Sequence, residues 1–157
     1  MISNIIIPNE QIRNHWLATH YNFDNPLSIA AAQAAYEKGQ PWLEELRIYL
    51  DKNFSYAEEY LKEYLPEARM AISESTYLAW VDVSHYLSTD VHLPLFFAYE
   101  AGVLLEGGNM FVSNSDGFIR LNLACPKATL EEGLRRICVA VNKYKNGEIT
   151  WKNNGVS

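Results

Sequence analysis

The chain has 157 residues, 48% hydrophobic and 13% aromatic, which is the size of one ordinary domain with enough apolar mass to bury a core. A net charge of −6, a pI near 5.2 and scattered Lys and Arg exclude the basic stripe of a nucleic-acid binder. No apolar run approaches the roughly 20 residues of a membrane span, and two cysteines, Cys125 and Cys138, in neither a metal nor a disulfide pattern, point to a reduced cytoplasmic setting.

Met1 to Ile7 is too short and uncharged for a signal peptide. Ile5, Ile6 and Ile7 are consecutive β-branched residues and read as a strand buried on both faces, the kind found inside a parallel sheet. Asn9 can cap a helix over about 10–19, and Tyr21 to Asp24 is a loop. Asn25-Pro26 is a cap followed by proline at the first helical position, and the alanine-rich helix it opens stops at Gly39, read as a C′ glycine. Gln40-Pro41 starts a long helix whose apolar face is Leu43, Leu46, Leu50, Phe54, Ala57, Leu61 and Leu65, ended by Pro66. Such a helix connects two domains or covers its own core.

After Pro66, Arg69 to Ile72 and Tyr77 to Val83 read as two antiparallel strands. Pro94 to Ala101 is a helix closed by Gly102. Val103 to Leu105 and Met110 to Val112 are short strand candidates around Gly107-Gly108, a pair too brief to make a phosphate loop. Phe118 to Ala124 is the clearest strand. Thr129 with Glu132 reads as a capping box for a last helix whose buried stripe is Leu130, Leu134, Ile137 and Val141. From Asn146 the tail is polar, with Trp151 able to dock. This order predicts an α+β fold, with helices on one face of a small, mostly antiparallel sheet.

The chemistry centres on Gly117-Phe118-Ile119-Arg120-Leu121-Asn122-Leu123-Ala124-Cys125-Pro126. Alternation puts Ile119, Leu121 and Leu123 on a core face and Phe118, Arg120, Asn122 and Ala124 on the other. An arginine in an apolar strand needs an anionic partner, because a buried guanidinium without one is costly. Arg120 with Asn122 beside it is either a clamp for a substrate carboxylate or half of a structural salt bridge with one of the 19 acidic residues. An independent enzyme pairing Arg120 with Asp82 or Glu106 is a third reading that no spacing recommends. His15 and His20, and His85 and His92, lack the Cys or acidic companions of a metal site. Cys125 and Cys138 read as packed residues and not nucleophiles.

Ile5-Ile6-Ile7-Pro8-Asn9, Ala34-Ala35-Tyr36, Trp42-Leu43, Thr76-Tyr77-Leu78-Ala79-Trp80, Ala101-Gly102-Val103 and Arg120-Leu121-Asn122-Leu123-Ala124-Cys125-Pro126 occur in this order. The succession resembles the C-terminal part of MalY/PatB-type enzymes: cystathionine β-lyase-like, fold-type I pyridoxal-phosphate (PLP) proteins of the class I/II aminotransferase superfamily. The resemblance runs from about residue 3 to 143. It implies the small C-terminal domain of that fold, with 1–40 a remnant of the large-domain end, 41–66 the connecting helix, 67–145 the small domain and 146–157 a flexible tail. It implies that Arg120 binds the α-carboxylate of an amino-acid substrate.

In the resembling family PLP is held on a lysine in a Ser-Lys motif ahead of the Ile-Ile-Pro strand, a stretch that here would lie before Met1. None of the seven lysines, Lys38, Lys52, Lys62, Lys127, Lys143, Lys145 and Lys152, follows a serine. The resemblance therefore implies a C–S β-lyase or aminotransferase fragment that carries the carboxylate arginine, binds no PLP covalently and is inactive alone. The alternative is a non-catalytic dimerising or binding module, or half of a split enzyme that pairs with an upstream PLP-binding half. Fold-type I enzymes build their sites at a dimer interface, and Tyr21 to Asn25 could face a neighbouring subunit. Apolar surface shaped to meet a larger domain predicts self-association to a dimer or higher oligomer.

Overall fold

The computed structural model describes residues 5–20, 25–111 and 114–151. The chain divides into two compact units, Met1–Arg47 and Ile48–Ser157.

In the first unit, α1 (Glu10–Thr19) starts where Asn9 Oδ1 accepts the Ile12 N–H at 3.0 Å. Helix α2 (Pro26–Lys38) starts where Asn25 Oδ1 accepts the Leu27 N–H at 2.9 Å, with Pro26 in its first turn. Both starts are as the caps predict. Gly39 ends α2 at φ −81°, so it is not the left-handed C′ glycine expected; the next helix follows at once and leaves no room for a reversal. Residues 5–7 form no strand. They have no ladder partner among the described residues, and a strand exists only through its partners. Ile6 is 86% exposed. Of the loop at 21–25, residues 21–24 lie outside the described residues.

Helix α3 (Gln40–Tyr64) continues into the second unit, where Phe54, Ala57 and Leu61 are buried at spacings of three and four. Leu65 is buried just past its end, and Pro66 prevents continuation. The sheet has the order β1-β2-β4-β3 and every pairing is antiparallel: β1 (Arg69–Ala71), β2 (Leu78–Asp82), β3 (Glu106–Gly107) and β4 (Phe118–Asn122). Ala79 and Val81 of β2 and Ile119 and Leu121 of β4 point into the core. There they meet α3, α4 (Leu93–Phe96) and α5 (Lys127–Lys145) in one apolar cluster. Helices on one face of a small antiparallel sheet are what the element order predicts.

Four local features differ from expectation. Helix α4 widens into a π-helical turn over Phe97–Ala101 before Gly102 closes it at φ +62°. The wider turn lets adjacent Phe96 and Phe97 both be fully buried, with ring planes 84° apart. Residues 103–105 are irregular, and the strand on this side is Glu106–Gly107, followed by a 3₁₀ turn at Gly108–Met110; residue 112 lies outside the described residues. Helix α5 begins at Lys127, so Thr129 is already inside its first turn, and its N–H goes to the Pro126 carbonyl at 2.9 Å. Glu132 is therefore free of capping and accepts from Arg135 Nε at 2.7 Å and Arg136 Nε at 2.7 Å. The predicted stripe Leu130, Leu134, Ile137 and Val141 is buried, joined by Cys138 and Ala140. Trp151 packs its ring edge-on to Phe96 at 5.6 Å. No helix among the described residues is long and apolar enough to cross a membrane.

Candidate functional site

Strand β4 carries the site, and its exit is pinned from beneath. Asn53, 2% exposed on α3, donates through Nδ2 to the carbonyls of Leu123 at 2.8 Å and Cys125 at 3.1 Å. Tyr49 Oη accepts the Lys127 N–H at 2.8 Å. These bonds satisfy backbone groups just where the chain leaves the sheet, and so hold the end of β4 in place. Neither Asn53 nor Tyr49 stands out in the sequence: each is a polar interruption in a helix, and only the backbone groups opposite give it a role.

On the outward face, Arg120 lies between two cross-strand neighbours, Trp80 on β2 and Glu106 on β3. Arg120 Nη2 donates to the Glu106 carboxylate. Its guanidinium carbon sits 4.3 Å from the centre of the Phe111 ring, a cation–π contact. Trp80 stacks on Phe118 at 5.9 Å and meets Phe111 edge-on at 5.8 Å, so the arginine stands at the rim of an aromatic cluster. The side chains of Arg120 and Glu106 are 28% and 42% exposed. Asn122 shares the face as expected, but its Oδ1 is used locally, accepting the Ala124 N–H at 2.9 Å. Its amide N–H groups are what it can offer a ligand. Asp82, the other carboxylate considered for Arg120, instead accepts the Ser84 N–H at 2.9 Å.

Strand β3 pairs only with Ile119 and Arg120, so the edge of β4 beyond Arg120 is open on that side. Beside it lies a groove of about 750 Å³ whose lining includes Leu104, Arg120, Asn122, Thr129 and Arg136. Arg136 is already paired with Glu132, which also lines the groove, so Arg120 is the guanidinium placed to meet an anion there; among the described residues no lysine lines it. Lys127 is committed to Glu131 at 3.5 Å and to the face of Tyr56, Lys62 to Glu58 at 2.8 Å, and Lys145 to the face of Tyr86.

The remaining candidates do not converge. His20 stacks on Trp16 at 3.4 Å, His85 meets Tyr86 edge-on, and His92 caps α4, its Nδ1 accepting the Leu95 N–H at 3.4 Å. Among the described residues no three His, Cys, Asp or Glu side chains gather as a metal site. Burial pushes the Cys125 thiol up and the Cys138 thiol up to about 12, so both are protonated and poor nucleophiles at neutral pH. Glu132 is held well below the usual carboxylate range, at about 2, by hydrogen bonds from Arg135 and Arg136.

No protein-family model matches the chain. It is 41% identical over 118 residues to cystathionine β-lyase PatB of Bacillus subtilis, covering 75% of this chain and 30% of that protein. It is 33% identical over 145 residues to Protein MalY of Escherichia coli, covering 89% of this chain and 37% of that protein. Among solved structures it resembles the PLP-bound C–S lyase of Staphylococcus hominis, with TM-score 0.83, 45% identity, and 87% of this chain and 36% of that one covered. It also resembles cystalysin of Treponema denticola, which contains PLP, with TM-score 0.80, 26% identity, and 88% and 36% covered. The chain spans about a third of the length of the relatives it matches.

Proposed function

Starting from the homology of this chain to the C-terminal part of MalY/PatB-type, fold-type I PLP enzymes, we propose that it is the carboxylate-binding portion of a C–S β-lyase or aminotransferase. Arg120 grips the α-carboxylate of the amino-acid substrate. The observation that carries this is the setting of its guanidinium. It stands on the outward face of β4, backed by Phe111 and contacted by a single carboxylate from Glu106. A guanidinium carries five N–H donors in a rigid fork, so one contact leaves donors for a bidentate ligand. Asn122 adds amide donors two residues along. The turn behind them is anchored by Asn53 and Tyr49, so the clamp is held in advance of binding and loses little entropy when it closes on a ligand.

In such enzymes PLP supplies the electron sink that makes elimination at the β-carbon possible. That the described residues place no lysine in the groove, and that no lysine follows a serine, supports the reading that the cofactor's seat lies elsewhere. The contribution of this chain is to hold the substrate by its carboxylate, and it is inactive without a part that binds the cofactor. The proposed organisation places 41–66 as a connecting helix and 67–145 as the small domain.

The test is a chimaera in which this chain replaces the matching region of B. subtilis PatB, assayed for pyruvate release from cystathionine. Turnover is expected, with Arg120→Ala lowering kcat/KM about 100-fold or more while the cofactor absorbance stays unchanged. Full activity of Arg120→Ala counts against the proposal. So does a stoichiometric, single-site lysine adduct on adding PLP to this chain alone. The second reading, a binding module or half of a split enzyme, draws support from large apolar side chains left at the surface, such as Leu104 at 91% exposure beside the groove. Restoration of lyase activity on mixing with a separate PLP-binding half would favour it.

A further inference from the structure

Glu106 and Arg120 face each other directly across the β3–β4 ladder, and β3 is only two residues long. That short strand has one visible consequence: it delivers a carboxylate to the guanidinium of Arg120. We infer that Glu106 is a resident stand-in for the substrate carboxylate. It holds Arg120 in its binding rotamer while the site is empty, and a ligand must displace it. Residue 106 thereby sets the affinity of the site and is a positioning residue, acting through Arg120. The inference rests on Arg120 being the carboxylate clamp.

Three observations support it. The contact is made by Nη2 alone, so Glu106 occupies one prong of the fork. Phe111 under the guanidinium fixes its plane without consuming an N–H, and so keeps the edge of the fork available when the carboxylate leaves. Both partners are partly exposed, at 28% and 42%. Water and salt compete with an ion pair in that setting, so the pair is weak enough to exchange with a free carboxylate. A buried, bidentate pair could not exchange in this way, because leaving either charge unpaired would be too costly.

The experiment uses the full chain labelled with ¹⁵N and titrated with acetate and with glycine. Binding is read at the Arg120 Nε–H and Trp80 Nε1–H resonances, and the same spectra show that each variant is folded. Glu106→Gln and Glu106→Ala remove the competing charge and should each bind about fivefold more tightly than the parent, the factor expected for losing a partly exposed ion pair. Glu106→Asp keeps the charge and should return the affinity to within about twofold of the parent. Equal or weaker binding by both neutral variants, with binding abolished by Arg120→Met, overturns the role of Glu106 and leaves the carboxylate clamp standing. Undiminished binding by Arg120→Met overturns both.

Discussion

Replacing Asn53 with leucine would test how the site is supported. The substitution keeps the branched four-atom shape, adds bulk, and removes both donors to the end of β4. The Leu123 carbonyl lies in the buried core and loses its side-chain partner; a buried acceptor left unsatisfied costs about 1–3 kcal/mol. The Cys125 carbonyl suffers less, because Tyr49 Oη also donates to it at 3.4 Å; that loss is about 0.5–1 kcal/mol. The sum is about 1.5–4 kcal/mol, less whatever the apolar leucine gains from burial. For a chain of this size that lowers Tm by roughly 5–12 °C. Thermal and urea melts followed by circular dichroism measure it. Hydrogen exchange at the Leu121 and Leu123 amides should accelerate if the loss is local to the strand exit. A shift of under roughly 2 °C with unchanged exchange would show that these bonds are not what holds β4, and would remove the support argued for Arg120.

Gly117 has φ +86°, and a Cβ there would lie 2.6 Å from that of Ser84. Gly117→Ala should therefore cost about 2–4 kcal/mol in a urea melt, through strain in the left-handed region and through the clash. Glu132 titrates at about 2 against an ordinary value of 4.5. A carboxyl depressed in the folded state stabilises fully above the unfolded value, and that contribution is lost as pH falls from about 4.5 toward 2. Glu132→Gln should flatten the Tm–pH profile in that window and leave it parallel to the parent above pH ~5, where both forms are fully ionised or neutral.

The helices and the site-bearing strand were legible because their signals are local. Asn9 and Asn25 cap the helices they were expected to cap, and the alternation of 118–124 assigns Arg120 to the outward face. Glu106 was one of two carboxylates considered for Arg120, but nothing in the sequence singled it out. Glu106 sits on a strand of two residues, too short for any periodicity, and lies 14 residues away. Phe111 is in a turn, and Asn53 looks like a flaw in an amphipathic helix. Ile5 to Ile7 shows the opposite failure: the composition of a buried strand with no ladder to join among the described residues.

Residue order thus specifies what each segment can become and what kind of ion Arg120 must meet, because capping, alternation and the cost of a lone guanidinium are properties of neighbours along the chain. Which carboxylate it meets, which ring lies under it and which amide braces its strand depend on pairings between distant segments. Those were settled only when the sheet closed in the order β1-β2-β4-β3 over a single core, because contact energies depend on separation in space and not along the chain.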